Sequence, residues 1–219
     1  MTSAVPTVFV VDDDASVRRA LTRLFTSVGL RVETFAGAAD FVARDPGNDH
    51  GCLLLDIKMP TTTGLDLQQK LESAGITLPV IFLSAHADVP VTVRAMKKGA
   101  LEVFTKPFQA DDLLAAVHKA IAVDAVRRRE RLEYQMLRQR FDSLTPREQT
   151  VMTQVVTGLL NKQVAGLMGT SEKTVKVHRA RVMAKMGASS LPELVRMADR
   201  LGLSPGSPSK PEREVPKVQ

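Results

Sequence analysis

Leu53-Leu54-Leu55-Asp56-Ile57-Lys58-Met59-Pro60 is the stretch from which the fold can be read. Three leucines run without a polar break and stop at a carboxylate, and Met-Pro closes the segment. A short apolar run bounded by turn signals reads as a strand buried on both faces, as in a parallel sheet covered by helices on each side. Asp56 then emerges at the carboxyl end of that strand. Open parallel α/β sheets bind their ligands outside that edge.

Working outward, four more stretches read as strands, three of them stopping at polar residues. Val8–Val11 ends at Asp12-Asp13-Asp14, Leu30–Phe35 follows, Leu78–Leu83 stops at Ser84, and Leu101–Thr105 stops at Lys106-Pro107-Phe108. Between them lie segments with helical spacing. Val17, Leu21, Leu24, Phe25 and Val28 precede Gly29, Ala38–Ala43 reads as a short helix, and Leu65, Leu67 and Leu71 precede Gly75. Val89–Lys98 precedes Gly99, and a fifth helix starts near Asp111. Apolar residues at three- and four-residue spacing closed by glycine are helix signatures. Five strands alternating with five helices predict a parallel sheet with helices on both faces.

In such a sheet the strand ends share one edge. Asp12, Asp13, Asp56, Ser84 and Lys106 can then converge. Three carboxylates in one pocket repel, and without a cation at least one is driven toward its protonated form. A hard divalent ion relieves the repulsion, and few protein carboxylates with open water positions favour Mg²⁺ over a caged Ca²⁺. A metal beside a carboxylate, a lysine and a hydroxyl suits a phosphoryl group, with Asp56 as nucleophile, Lys106 neutralising phosphoryl oxygens and Ser84 donating to them. Asp14 has no role in this set beyond solvation or charge at a helix N-terminus.

The charge is divided. Residues 1–124 carry 12 Lys and Arg against 15 Asp and Glu, while residues 125–219 carry 18 against 9, the two parts together giving the net +6. An acidic first half and a strongly basic second half indicate two domains with different partners, nucleic acid for the second. Cys52 is the single cysteine, which fits a reducing, cytoplasmic setting; beside the Leu53 run it reads as a small buried hydrophobe. No apolar run reaches membrane-span length, and Met1–Pro6 lacks the basic and apolar regions of a signal peptide. From Asp112 to Arg140 there is neither Gly nor Pro. The fifth helix is therefore expected to run on to about Phe141, about 30 residues or roughly 45 Å, with the Arg127-Arg128-Arg129-Glu130-Arg131 run as a solvated face.

Thr145-Pro146-Arg147-Glu148 opens the second half with an N-cap threonine, proline at N1 and a glutamate placed to close a capping box. That helix carries Val151, Met152, Val155 and Val156. Asn161 is expected to cap a short helix over Lys162–Met168, Gly169-Thr170 to turn, Ser171 to cap a third helix to Met186, and Ser190 to cap a fourth, Leu191–Leu201. A short helix, a glycine turn and a longer basic helix form a helix-turn-helix. On the third helix, Val175, Val182 and Met186 can face a core, while Lys173, Lys176, Val177 and Ala180 form another stripe flanked by Arg179 and Arg181. Such a helix can enter the major groove, its cations meeting phosphates and guanines and its small apolar groups meeting thymine methyls. Leu203–Gln219, rich in Pro, Ser and charge, reads as a disordered tail.

Val10-Val11-Asp12-Asp13, Leu55-Asp56-Ile57-Lys58-Met59-Pro60, Ser84-Ala85-His86 and Lys106-Pro107-Phe108 together resemble the receiver domain of response regulators. Leu144-Thr145-Pro146-Arg147-Glu148, Gly158–Ala165 and Thr174-Val175-Lys176-Val177-His178 resemble the LuxR/NarL-type DNA-binding domain, and the whole resembles the FixJ-like subgroup. The resemblance implies a flavodoxin-like (βα)5 receiver over 1–124 and a helical linker over 125–142. It implies an all-α, four-helix helix-turn-helix domain over 143–202, with the tail at 203–219. It implies that Asp56 is the phosphoacceptor. Asp12, Asp13 and the Lys58 backbone carbonyl would join it in holding Mg²⁺, Ser84 and Phe104 would switch, Lys106 would be the active-site lysine, and Lys106-Pro107 would be cis. Lys176 and Val177 would face bases, and Asn161, Lys162, Thr174 and His178 would lie near the phosphate backbone. Ala180 stands where the family often has a larger base-contacting side chain. The implied partners are a sensor histidine kinase, promoter DNA, a second copy on phosphorylation and RNA polymerase, with no membrane. Helix four of the second domain would contribute to the dimer. Two other readings stay open: a constitutive DNA-binding regulator with an inert receiver, and a phosphorelay or protein-interaction module. The second half has no catalytic constellation, so an enzyme of external substrates is not expected.

Overall fold

In the computed structural model, residues 5–44, 49–85 and 89–203 are described. His86 of the Ser84-Ala85-His86 motif, Met1–Ala4 and nearly all of the expected tail lie outside them. The chain divides into two compact units, Met1–Arg129 and Glu130–Gln219. Helix α5 begins in the first and ends in the second.

The first unit alternates β1 (Thr7–Val11), α1 (Ala15–Ser27), β2 (Arg31–Phe35), α2 (Ala38–Ala43), β3 (Gly51–Asp56), α3 (Gly64–Ser73), β4 (Val80–Ser84), α4 (Val89–Lys97), β5 (Glu102–Thr105) and α5 (Ala110–Asp142). The strands form one parallel sheet in the order β2-β1-β3-β4-β5. Burial explains the order. Every residue of β1, β3 and β4 is buried, so these strands sit inside, whereas β2 and β5 keep partly exposed positions as edges.

Successive side chains of a strand point to opposite faces, and each face builds its own core. Phe9, Val11, Leu53, Leu55 and Phe82 pack with Phe41 of α2, Leu67 and Leu71 of α3 and Ala95 of α4. Val8, Val10, Cys52, Leu54, Ile81 and Leu83 pack with Leu21 and Phe25 of α1 and Leu113, Val117 and Ala120 of α5. Each fully buried leucine or phenylalanine contributes about 1.5–3 kcal/mol. Leu53-Leu54-Leu55 therefore serves both layers at once, which is why the run has no polar break. The Cys52 thiol is buried, and burial pushes its pKa up to about 12.

Local chemistry sets the helix starts. Asp14 caps α1, its carboxylate accepting from the Ser16 N–H at 2.7 Å. Thr63 and Asp66 form a capping box on α3. β4 begins at Val80 rather than Leu78, because the Pro79 carbonyl accepts from the Leu53 N–H but Pro79 has no N–H to give.

The second unit holds α6 (Pro146–Val156), α7 (Asn161–Met168), α8 (Glu172–Met186) and α9 (Leu191–Arg200). Its core joins Leu137 and Phe141 of α5 to Leu144, Met152, Val182, Met186, Leu194 and Ala198. Thr145 and Glu148 close the expected capping box. One expected cap is corrected and another keeps its position without its side-chain bond. Leu160 occupies the N-cap of α7, its N–H donating to Gln163 Oε1 at 2.8 Å, and Asn161 is the first helical residue. Ser190 holds the N-cap position of α9 without a side-chain bond; the N–H and hydroxyl of Ser189 donate to Glu193 instead. Leu203 packs partly buried against this core and its N–H donates to the Ala198 carbonyl. Among the described residues, no helix is long and apolar enough to cross a membrane.

Candidate functional site

Sheet register brings the strand ends together. Val11 pairs with Leu55, so Asp12 lies beside Asp56; Ser84 pairs with Thr105, so Lys106 follows directly, its N–H donating to the Ser84 carbonyl at 2.7 Å. Asp12 and Asp56 are buried at 0% and 6% exposure, and Asp13 is exposed. Ligand oxygens of all three lie within 4.8 Å of one another. Lys106 Nζ donates to Asp12 Oδ2 at 2.6 Å and to Asp56 Oδ1 at 3.2 Å. The Lys106-Pro107 peptide is cis.

The electrostatics follow from that geometry. Burial raises the Asp56 pKa above the ordinary carboxylate value; Lys106 opposes the rise, and Asp12 and Asp13 add to it. Burial also works against the Lys106 ammonium, but its hydrogen bond to Asp12 and the charges of Asp12 and Asp56 outweigh it and raise its pKa. One lysine thus faces three carboxylates. The all-oxygen donor set, two members buried, fits a hard divalent cation, which would balance the remaining charge.

Ser84 is 2% exposed at the end of β4. Phe104 is half-buried on β5, packed against the α1/α5 layer and edge-on to Phe108 at 6.4 Å. Lys58 is exposed two residues past Asp56. Two residues that sequence reasoning passed over support the site. Arg18 donates to the backbone carbonyls of Asp12 at 2.6 Å and Asp13 at 2.9 Å, tying the acidic loop to α1. Gly64 opens α3 so close to β3 that a Cβ there would stand 2.4 Å from the Asp56 carbonyl oxygen. Neither carries a sequence signal, because both act through space.

In the second unit, α7 ends on Gly169 in the left-handed conformation (φ 61°), and Ser171 caps α8 by accepting from the Thr174 N–H at 3.1 Å. Val175, Val182 and Met186 are buried on α8, while Lys173, Lys176, Val177 and Ala180 are exposed, as the spacing predicts. Lys162 is exposed, and Asn161, Thr174 and His178 are half-buried. Arg179 donates to Asn161 Oδ1 at 3.1 Å and so links α8 to the start of α7. Glu148, buried in the capping box, also accepts from Lys185 of α8 at 2.7 Å. That bond, with the Thr145 N–H, pulls its pKa down to about 2.

Comparison with known proteins agrees with both halves. The response regulator receiver domain family matches residues 8–118, and the luxR family of bacterial regulatory proteins matches residues 142–198. Nodulation protein W of Bradyrhizobium diazoefficiens is 47% identical over 90% of this chain and 87% of its own. The transcriptional regulatory protein FixJ of Azorhizobium caulinodans is 40% identical over 93% of this chain and 97% of its own. The solved structure of response regulator StyR superposes with a TM-score of 0.81 at 46% identity, covering 90% of this chain and all of that one. The chain therefore belongs to the two-component response regulators that carry a LuxR-type DNA-binding domain and regulate transcription.

Proposed function

We propose that Asp56 accepts a phosphoryl group from a sensor histidine kinase and that this event controls DNA binding by α8. The observation that carries the reading is the Lys106 ammonium bridging the buried Asp12 and Asp56 at the sheet edge. In the transfer, an Asp56 carboxylate oxygen forms a bond to phosphorus as the bond from phosphorus to the kinase imidazole breaks. Lys106 neutralises phosphoryl oxygens and Ser84 donates a hydrogen bond to them. Asp12, Asp13, Asp56 and the Lys58 carbonyl would hold Mg²⁺, which when bound supplies further charge neutralisation at the phosphoryl oxygens.

The switch then runs along β4 and β5. Drawing Ser84 toward the phosphoryl group vacates space that Phe104 fills, which reshapes the face made by α4, β5 and α5. Val89, Val93 and Met96 on α4 are 73%, 44% and 47% exposed and give that face apolar area to bury against a second copy. The homodimer would present two α8 helices to paired half-sites in promoter DNA, with Lys173, Lys176, Val177 and Ala180 toward base edges and Asn161, Lys162, Thr174 and His178 toward phosphates. RNA polymerase is the further partner of a cytoplasmic transcription regulator. We assign the receiver to 1–124, the helical linker to 125–142, the DNA-binding domain to 143–202 and a tail to 203–219.

The test is intact-mass measurement after incubation with acetyl phosphate and Mg²⁺. The wild-type chain should gain one phosphoryl group and Asp56→Asn none. Equal gain by both would place the acceptor elsewhere.

A further inference from the structure

Different elements hold the two halves of α8. Over its first half, Ser171 caps it and Arg179 ties it to Asn161 of α7. Its far end leaves carbonyls without intrahelical partners. The glycine turn serves two of them: the Gly187 N–H donates to the Ala184 carbonyl at 3.2 Å and the Ala188 N–H to the Met183 carbonyl at 2.9 Å. The Met186 carbonyl is served from another helix, by Arg140 Nη1 in the last turn of α5 at 3.0 Å. In return, Lys185 Nζ of α8 donates to the Ser143 carbonyl, just past the end of α5, at 3.2 Å.

Two helix C-termini therefore meet. Each carries about half a negative charge, so the two ends repel unless cations stand between them. Each helix supplies the cation for the other's end, and a charged donor makes the stronger hydrogen bond. Leu137 and Phe141 of α5 share one apolar core with Val182 and Met186 of α8. Gly187 keeps the approach open: its φ of 71° suits glycine, and a Cβ there would stand 3.0 Å from Arg140 Nη1. The Arg140 side chain makes no other hydrogen bond or ion pair among the described residues.

We propose that Arg140 is a positioning residue for DNA recognition: by fastening the end of α8 to the last turn of α5, it sets the angle at which α8 enters the major groove. The proposal rests on the reading of α8 as the groove-entering helix. The exposed stripe turned to base edges runs from Lys173 to Ala180, and Met186 lies roughly 9 Å farther along the axis. The protein thus grips α8 outside the stripe that reads DNA. Base contacts are short and directional, so a helix free to tilt loses them first. Attraction to the phosphate backbone depends on charge and survives the tilt.

Affinity for two DNA duplexes tests this. One is selected from a random library by the wild-type full chain; the other has the same composition in shuffled order. Arg140→Met removes the donor and keeps most of the side chain's apolar length. It should bind the selected duplex about threefold to tenfold more weakly and the shuffled duplex as the wild type does, with the wild-type dependence on salt. Arg140→Lys keeps a cation that stops one atom short of the guanidinium nitrogens, and its affinity for the selected duplex should fall between the two. Lys176→Ala, which removes a cation from the stripe itself, should instead lose about 0.9 of the slope of log K against log salt. Thermal melts show which variants fold, and Arg140→Lys keeps the comparison if Arg140→Met does not. Either Arg140 variant matching the wild type on the selected duplex overturns the proposal. An equal loss on both duplexes also overturns it, and so does a slope lowered by about 0.9, which would make Arg140 a phosphate contact. If the wild-type chain selects no duplex, the DNA reading fails and takes the proposal with it. If it selects one and the Arg140 variants discriminate as the wild type does, the proposal alone fails.

Discussion

Gly64→Ala is the perturbation that probes the phosphoacceptor most finely, because it changes no charged group. The added Cβ would stand 2.4 Å from the Asp56 carbonyl oxygen and 3.0 Å from both Leu55 Cγ and Phe82 Cε1. Opening that contact to 3.0 Å takes a shift of 0.6 Å, and ordinary contact at 3.4 Å takes 1.0 Å. Neither side yields freely. β3 is bonded on both edges, the Ile57 N–H donates to the Leu83 carbonyl, and the Gly64 N–H donates to the Ile57 carbonyl. On the other side, α3 is held by buried Leu67 and Leu71. Overpacking of this kind costs about 1–3 kcal/mol, several degrees of melting temperature. A displacement approaching 1 Å at a reacting group can cost about 100-fold in rate, so we expect phosphorylation slower by about 10- to 100-fold. The assay is the initial rate of acetyl phosphate incorporation at saturating Mg²⁺, beside a thermal melt. A variant that is phosphorylated at the wild-type rate and melts with the wild type would refute the claim that Gly64 sets the Asp56 position.

Other outcomes follow from the same geometry. Lys106→Met leaves Asp12 and Asp56 facing one another without their shared cation. It should destabilise the metal-free first unit by about 2–3 kcal/mol, below the roughly 3–5 kcal/mol of a fully buried broken pair because Lys106 is partly exposed. Added Mg²⁺ should restore much of the loss in a thermal melt, and a melt indifferent to both changes would refute the charge-balance argument. The Glu148 pKa is lowered on folding to about 2 from an ordinary 4.5. Its stabilising contribution is therefore present above about pH 4.5 and is lost as pH falls toward 2. Hydrogen exchange in the second unit should quicken over that range in the wild type, and the pH dependence should be shallower in Glu148→Gln.

Much of this was legible because burial and edge position leave marks in one dimension. An uninterrupted Cys52–Leu55 run announces an interior strand, and a carboxylate at its end announces the sheet edge. Thr145-Pro146-Arg147-Glu148 carries its capping box in the letters themselves. The misses have a common cause. Asn161 is a good cap residue, yet its amide oxygen accepts from Arg179, eighteen positions away, while Gln163 satisfies the Leu160 N–H. Ser189, rather than Ser190, bonds to Glu193 because both its N–H and its hydroxyl reach that carboxylate. Other through-space arrangements leave no local pattern. The Arg44 guanidinium lies over the Phe9 ring at 4.4 Å while paired to Asp49. Buried Asp124 of α5 accepts from His50 at 2.6 Å and from the Gly51 N–H at 2.9 Å, fastening the helix to the opening of β3. Such contacts join residues far apart in sequence or hinge on side-chain direction, which spacing alone does not encode.

The most direct test of the phosphorylation switch is sedimentation of the full chain with Mg²⁺, with and without beryllofluoride as a phosphoryl mimic, repeated with the selected duplex. The account predicts a monomer that becomes a dimer and binds the duplex more tightly when the mimic is present, with Asp56→Asn unresponsive. A wild-type chain whose association state and DNA affinity are the same with and without the mimic would contradict it, and would identify the receiver as inert and the DNA binding as constitutive.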